Sequence, residues 1–363
     1  MWWKKKKVRT ETVLVIVFSI IFGFLSGILG NSFAGENNLP FFGEISVSDL
    51  DFDGQVIIDQ PRSVVVEQDI QLKQIENDVI PTLASVYRFK RSTNPLNQIY
   101  LPGDVLGQAV VITADGWVMS TRDSIVNLSG NYEAIGYQSK KYKLIKFVED
   151  KATGIVFGKM EAENLPVSKI GNSDSVRAGQ TVAIISRTNG VLISNIKSIG
   201  YQFVVSGDTV SSSEELKREI ILDVDLSNKY SGAVVVNFKG EMIGIVASGK
   251  VVPVNHFKNI INQVLEGNEI SRPILGIRYI DLAQVDGLID RGDKGALVYG
   301  NPDRLSPAFS KVLTGDVIKK VDDVEINVNR SLSDLISGYG VGDSVELLIQ
   351  RGDEELKEDI TLK

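Results

Sequence analysis

Short β-rich runs recur between residues 78 and 251, and this pattern limits the possible folds more than any other feature of the chain. The runs occupy residues 85–89, 107–113, 117–120, 181–185, 219–224, 233–237 and 242–247. Gly, Asn and Asp residues typical of turns separate them, and few segments have helical periodicity. Residues 254–265 carry apolar residues at helical spacing and predict a closing helix that ends at Gly267. The pattern therefore predicts an all-β barrel or sandwich domain over residues 78–268.

A second pattern covers the C-terminal block, residues 271–363. Its predicted strands are residues 275–279, 296–299, 316–321, 344–350 and 356–362, and its predicted helices are residues 306–311 and 331–337. About ninety residues with five strands and two short helices favour a small α+β domain.

The N-terminus has the composition of a membrane anchor. Lysines at residues 4–7 and Arg9 precede an uncharged apolar run over residues 13–30. A helix of that length spans roughly 27 Å, close to the thickness of the hydrocarbon core. The positive-inside rule then places the N-terminus in the cytoplasm and the rest of the chain outside. Residues 1–34 are thus predicted to form a single-pass plasma-membrane anchor.

A cleaved signal peptide is the alternative interpretation of this segment. Ser32, Phe33 and Ala34 before Gly35 resemble a cleavage site with small residues. Either interpretation delivers the rest of the chain outside the cytoplasm. Residues 35–77 are polar and irregular and predict a linker, with a short helix over residues 68–76.

Composition excludes several classes of function. The net charge of −7 argues against a nucleic-acid partner, since phosphate binding needs concentrated Lys and Arg. The absence of cysteine rules out disulfides, thiolate nucleophiles and Cys-ligated zinc, and one histidine, His256, cannot supply the usual zinc ligands. We therefore expect no metal and no cofactor.

Residues 79–363 resemble the HtrA family of serine proteases. Residues 107–112 and 115–119 are similar to the family's GSGVI and DGYIVTN strands, residues 170–182 to its LGDS segment, and residues 223–245 to its nucleophile loop and GEVIGI strand. The resemblance implies an all-β trypsin-like double β-barrel domain followed by a small α+β PDZ-like domain, with the transmembrane helix before both. It also implies a possible homotrimer, or a hetero-assembly with active relatives.

The catalytic positions depart from this family. Asp123 stands where the family has its catalytic histidine, and Gly154 stands where it has the orienting aspartate. Ser231 keeps the position of the nucleophile, but Lys229 replaces the glycine that contributes to the oxyanion hole. A serine nucleophile needs a base within hydrogen-bond reach. A carboxylate, with a reference pKa of about 3.9, is a poor acceptor for the serine proton at neutral pH. We therefore predict a pseudoprotease.

Three routes to activity stay open on the sequence alone. The chain could be an HtrA-type serine endopeptidase in which Ser231 uses an unrecognised base. Lys229 could form a dyad with Ser231. His256 could be a relocated base, although we expect it to be a partly exposed residue of the closing helix.

The C-terminal block resembles an HtrA-type PDZ domain. Ile274, Leu275, Gly276 and Ile277 occupy the place of the family's carboxylate-binding loop and its adjoining strand. Such domains bind extended peptides by strand addition, with backbone N–H groups on the terminal carboxylate. The resemblance implies that peptide C-termini or unfolded proteins are the partners, in envelope protein quality control or as a scaffold. The alternative is a PDZ-like fold used only for packing or assembly.

Overall fold

The computed structural model describes residues 17–23, 26, 61–92, 94–201, 209–285 and 294–363. Of the predicted membrane segment, only residues 17–23 and 26 belong to these ranges, and they are helical. None of the helices in the described part of the chain combines the length and apolar character needed to cross a bilayer. Residues 64–363 form one compact unit.

Helix α1 (Pro61–Val79) is longer than the sequence pattern predicts. Pro61 at the first helical position has the φ angle that a helix start requires and no N–H to satisfy. Ile75 and Val79 lie four residues apart and pack into the core of the unit. The helix predicted over residues 68–76 is therefore confirmed and extends in both directions, while residues 35–60 lie outside the described ranges.

The first six strands form a closed antiparallel barrel in the order β1-β2-β3-β6-β5-β4. The strands are β1 (Leu83–Arg88), β2 (Val105–Val111), β3 (Trp117–Thr121), β4 (Tyr132–Ile135), β5 (Lys141–Asp150) and β6 (Ile155–Met160). Its interior is filled by buried apolar side chains such as Val86, Val118 and Ile125.

A second barrel follows. Its segment of the chain contains β7 (Lys169–Ile170), β8 (Thr181–Ser186), β9 (Gly190–Tyr201), β10 (Val210–Ser212), β11 (Arg218–Leu222), β12 (Val234–Val236), β13 (Glu241–Ala247), β14 (Lys250–Pro253) and helix α2 (Lys258–Leu265). The strands pair in the order β12-β8-β9-β11-β14-β13, and pairing of β12 with β13 closes the ring. Met119 and Phe157 of the first barrel, Val234 and Ile245 of the second, and Ile260 of α2 belong to one buried cluster. The barrels therefore pack directly on each other.

The C-terminal domain is a twisted sheet with one short helix. It contains β15 (Arg278–Asp281), β16 (Ala296–Val298), β17 (Val317–Val321), β18 (Val324–Glu325), α3 (Leu332–Ile336), β19 (Ser344–Arg351) and β20 (Glu354–Thr361). The sheet order is β10-β15-β16-β17-β19-β20, with β18 beside β17. Its outermost strand, β10, thus comes from the segment of the second barrel.

All seven runs found in the sequence coincide with strands to within two residues at each end, and these strands are confirmed. The sequence pattern missed other strands of the barrels, among them β4, β5, β6, β9 and β14. Two details of the C-terminal domain were predicted wrongly. Residues 306–311 form turns and not a helix, because Ser310 has a φ of +66°. The first strand begins at Arg278 and not at Leu275, because Gly276 has a φ of +76° that an extended strand excludes.

Candidate functional site

Ser231 lies at the end of a tight turn between β11 and β12. Residues Asn228–Tyr230 form one 3₁₀ turn, and the Ser231 N–H donates to the carbonyl oxygen of Asn228 at 3.0 Å. The Ser231 residue is 1% exposed, and its hydroxyl has no hydrogen-bond partner among the described residues. The backbone donor that could stabilise an oxyanion is therefore engaged within the turn, and the hydroxyl is closed off from solvent.

The turn packs against strand β2 of the first barrel. The N–H of Gln108 donates to the Ser231 carbonyl oxygen at 2.8 Å. Gly232 has a φ of +78°, and a Cβ atom there would lie 2.0 Å from the Gln108 carbonyl oxygen. A Cβ on Gly107 would likewise lie 1.9 Å from the hydroxyl of Ser124. These close approaches leave no room beside Ser231 on the side of β2, and they require glycine at residues 107 and 232.

Asp123 contacts a hairpin and not Ser231. Its carboxylate accepts a hydrogen bond from the Ser248 N–H at 2.5 Å, and the Ser248 hydroxyl lies 3.0 and 3.1 Å from its two oxygens. Ser248 has a φ of +49° in the turn between β13 and β14. The side chain that we predict at the position of the family's base thus stabilises a turn in left-handed conformation.

Gly154 has no neighbour within 4 Å of the place of a Cβ atom, so nothing substitutes for the missing side chain there. Four residues earlier, Asp150 is 1% exposed. Both of its oxygens bind Arg272, at 3.0 Å from Nε and 2.5 Å from Nη2, and the same Nη2 donates to the His256 carbonyl oxygen at 2.8 Å. This carboxylate therefore connects the first barrel to the start of the C-terminal domain and orients no base.

The remaining candidates for a base are directed elsewhere. The Lys229 ammonium lies 5.4 Å from the centroid of the Tyr230 ring. His256 is 6% exposed, and its Nε2 lies 3.3 Å from Oδ1 of Asp334 in the capping box of α3. The expectation of a partly exposed histidine is therefore wrong, because the C-terminal domain covers the ring. No three His, Cys, Asp or Glu side chains in the described ranges are grouped so that they could hold a metal ion.

Asp223 fixes the start of the nucleophile loop. A hydrogen bond of 2.5 Å from the Ser194 hydroxyl, together with the N–H of Asn195, lowers the pKa of the Asp223 carboxyl below its ordinary value. The carboxylate is therefore the favoured form, and it ties the end of β11 to β9.

The four residues of the candidate peptide-binding loop lie together, but they already have partners. The Ile274 N–H donates to the Lys363 carbonyl oxygen at 2.7 Å, so it closes the domain by joining its two ends. The N–H groups of Leu275 and Gly276 donate to Oε1 of Glu214 at 3.0 and 2.8 Å. The Ile277 N–H donates to the Ser213 hydroxyl at 3.0 Å.

Sequence reasoning missed Ser213 and Glu214, the two residues that accept hydrogen bonds from the N–H groups of residues 275–277. They lie in a polar run that separates β10 from β11. In such a short polar run, the sequence pattern does not distinguish a surface loop from a segment that pairs with a sheet. The one available signal was that Val210–Ser212 is long enough for a strand.

Two domain families match the chain. Residues 106–245 match the model of the trypsin-like peptidase domain, and residues 273–362 match the model of the PDZ domain. These matches lie on the double barrel and on the C-terminal sheet, respectively, in the order that the sequence predicted.

The curated relatives are named as serine proteases of the HtrA and DegP kind. The chain is 24% identical over 283 residues to "Serine protease Do-like HtrA" of Lactococcus lactis subsp. lactis (strain IL1403), which covers 70% of this chain and 67% of the relative. It is 26% identical over 277 residues to "Probable periplasmic serine endoprotease DegP-like" of Halomonas elongata, which covers 71% of this chain and 56% of that relative. The chain thus spans little more than half the length of the DegP-like protein.

Solved structures agree on the fold. "HtrA-type protease AlgW with decapeptide" matches with a TM-score of 0.53 at 18% identity, covering 80% of this chain and 98% of that one. "HtrA-type protease AlgW with tripeptide" matches with a TM-score of 0.57 at 19% identity, covering 80% and 97%. The two domain matches, the curated relatives and the shared fold together show that the chain belongs to the HtrA family of trypsin-like, PDZ-containing proteins.

Proposed function

We propose that this protein is a pseudoprotease: a member of the HtrA family that recognises polypeptides without cleaving them. The observation that carries the proposal is the Ser231 hydroxyl, which is buried and has no hydrogen-bond partner in the described ranges. Acyl transfer by serine needs a base that takes the hydroxyl proton and a third group that orients the base. Asp123 is engaged with Ser248, and Gly154 has no side chain to offer.

The relatives bear names of active proteases, and an active endopeptidase remains the competing function. It would require Ser231 to become exposed and to meet a proton acceptor. It would also require the Ser231 N–H to leave Asn228, since an oxyanion hole needs free donors.

Recognition of polypeptides is proposed for the PDZ domain. The support is the pair of N–H groups of Leu275 and Gly276, which converge on one carboxylate oxygen. Converging backbone donors beside a sheet edge are the arrangement by which a terminal carboxylate is bound. The AlgW structures named with a decapeptide and a tripeptide support the same role for this chain.

The place of action is also a proposal. The basic residues at positions 4–7 and the apolar run over residues 13–30 support a single-pass plasma-membrane protein whose folded unit lies outside the cytoplasm. In this setting the protein would bind exposed C-termini or unfolded segments in envelope protein quality control or as a scaffold. Homotrimers, or assemblies with active relatives, are part of the proposal that rests on family likeness alone.

A cleavage assay with unfolded casein tests the proposed absence of proteolysis. We expect no peptide release above that of the Ser231→Ala variant. In a serine protease, removing the base lowers the turnover rate by roughly a millionfold, and the described part of this protein has no base beside Ser231. Ser227→Ala, four residues away in the same turn, is the matched control for a structural effect. Casein cleavage by the wild type that disappears only in Ser231→Ala would refute the pseudoprotease.

A further inference from the structure

Strand β10 leaves the second barrel and joins the sheet of the PDZ domain. It pairs antiparallel with β15 so that Val210 lies opposite Ile280, Ser211 opposite Tyr279 and Ser212 opposite Arg278. It therefore covers the edge of β15 that faces away from β16. Addition of an antiparallel strand to a free sheet edge is how an extended peptide docks on a PDZ domain.

The residues after β10 fill the carboxylate-binding loop. The Ser213 N–H donates to the Ile277 carbonyl oxygen at 2.9 Å, while the Ile277 N–H donates to the Ser213 hydroxyl at 3.0 Å. Beyond Ser213, Oε1 of Glu214 accepts hydrogen bonds from the N–H groups of Leu275 and Gly276. The chain thus runs along the strand edge into the loop and ends on a carboxylate, as a bound C-terminus would.

The geometry of the loop depends on Gly276. It has a φ of +76°, and its N–H and the N–H of Leu275 point at one oxygen atom, as in a small anion-binding nest. A Cβ atom at this position would lie 2.3 Å from Cβ of Ser306, so no other residue fits without rearrangement. The loop is therefore shaped for an anion, and the anion that it holds is the side chain of Glu214.

The segment is anchored close to its contact with the loop. Arg218, four residues after Glu214, is buried and forms an ion pair of 2.5 Å with Asp174. From Arg218 onward the chain is strand β11 of the second barrel, paired with β9. A ligand tethered this closely acts at an effective concentration in the millimolar range, which external peptides must overcome.

We propose that residues 210–214 are an internal ligand of the PDZ domain. Glu214 imitates the terminal carboxylate and β10 imitates the peptide strand, so the groove is closed until this segment is released. This proposal rests on the proposed function, because it assumes that the same groove binds external polypeptides. The ligand that opens the groove is an extended peptide with a free C-terminal carboxylate, since the Glu214 carboxylate and a terminal carboxylate compete for the same two N–H groups.

The central test removes the internal carboxylate. In Glu214→Ala, hydrogen exchange at the amides of residues 275 and 276 is expected to rise at least about tenfold, because they lose their acceptor. Exchange at the amide of residue 277 should rise as well, because its acceptor, Ser213, frays with the released segment. Capture of a random heptapeptide library with free C-termini is expected to rise by about the same factor, since the apparent affinity scales with the open fraction. The same library with amidated C-termini should show no gain.

Glu219→Ala is the matched control. It removes the same charge five residues farther along, where Glu219 forms an ion pair with Lys250 away from the groove. Neither the exchange rates nor the peptide capture should change. The thermal midpoint of each variant verifies that it is folded.

The outcomes separate the two proposals. Unchanged exchange at residues 275–277 in Glu214→Ala would overturn the internal ligand. Equal capture by the wild type and Glu214→Ala would also overturn it, while the peptide-binding function stands. Faster exchange without any peptide capture would uphold the internal contact and overturn the peptide-binding function.

A disulfide lock provides the opposite perturbation. Ser212→Cys with Arg278→Cys places one thiol on each of two directly opposed residues of β10 and β15, and the chain has no other cysteine. Opposed residues of an antiparallel pair have Cα atoms about 4.5–5.5 Å apart, within the range that a disulfide spans. Oxidation is expected to abolish peptide capture and reduction to restore it; capture that persists after oxidation would contradict the internal ligand.

Discussion

Arg272→Ala is expected to lower the free energy of unfolding of the first barrel by about 3 kcal/mol or more. The substitution leaves the carboxylate of Asp150, which is 1% exposed, without the guanidinium that binds both of its oxygens. Breaking a buried ion pair from one side costs more than the pair is worth, since the remaining charge has no counter-charge and keeps, among the described residues, only the Thr153 hydroxyl and the Ala152 N–H as donors. Urea unfolding followed by tryptophan fluorescence measures the change in a background in which Trp2 and Trp3 are replaced by phenylalanine, so that the signal comes from Trp117 in strand β3 of the same barrel.

Two further variants show whether the effect belongs to this pair. Arg351→Ala breaks an ion pair of the same kind, with the buried Asp316 in the PDZ domain, and should leave the Trp117 transition nearly unchanged. Asp150→Asn combined with Arg272→Ala should recover part of the loss, because no unpaired charge remains. A Trp117 transition that does not move in Arg272→Ala would show that Asp150 finds solvent or another partner.

Restoring the side chains of a triad is expected not to restore an enzyme. In Asp123→His combined with Gly154→Asp, we expect casein cleavage at least about a hundredfold slower than that of the Lactococcus lactis HtrA relative, since the loss of one oxyanion donor alone costs this much. The reason is the turn itself: the Ser231 N–H still donates to Asn228, and the Ser231 hydroxyl is still buried. Gly154 has a φ of +70° and open space around it, so aspartate fits there at modest cost.

The same double variant carrying Ser231→Ala sets the background of this assay. Cleavage that depends on Ser231 and approaches the rate of the relative would mean that the turn opens readily. The proposed lack of cleavage in the wild type would then follow only from the side chains at positions 123 and 154.

Seven strands of the barrel domain were predictable because their information is local. Runs such as residues 117–120 and 242–247 are apolar, short and bounded by turn residues, and they form β3 and β13. The order of the two domains was predictable from motif resemblance, and the family matches confirm it.

The sequence predicts a set of positions for the candidate site, and these positions stay a prediction, while their geometry was not predictable. From the resemblance we predict that Asp123 and Gly154 stand where the family has its base and acid, yet no local pattern indicates that Asp123 binds Ser248, 125 residues away. The burial of Ser231 follows from the packing of its turn on β2, which depends on the glycines at 107 and 232. Contacts of this kind arise from tertiary packing, and propensity does not encode them.

The most consequential contacts that the sequence did not predict join segments far apart in the chain. Arg272 binds Asp150 across 122 residues, and the Leu275 N–H binds Glu214 across 61. His256 was expected to be partly exposed because its helix reads as amphipathic, whereas Asp334 of the PDZ domain covers it. In each case a residue of one domain contacts a polar side chain of the other. Sequence patterns describe one segment at a time, so they do not predict such contacts.

Labelling with a fluorophosphonate tests the central claim most directly, because the reagent reports whether a serine hydroxyl can lose its proton to a neighbour and attack. The predicted result is that mass spectrometry finds the peptide containing Ser231 unmodified, under conditions that label the Lactococcus lactis HtrA relative completely. Modification of Ser231 at a comparable rate would contradict the account, since it would prove that a proton acceptor reaches this hydroxyl.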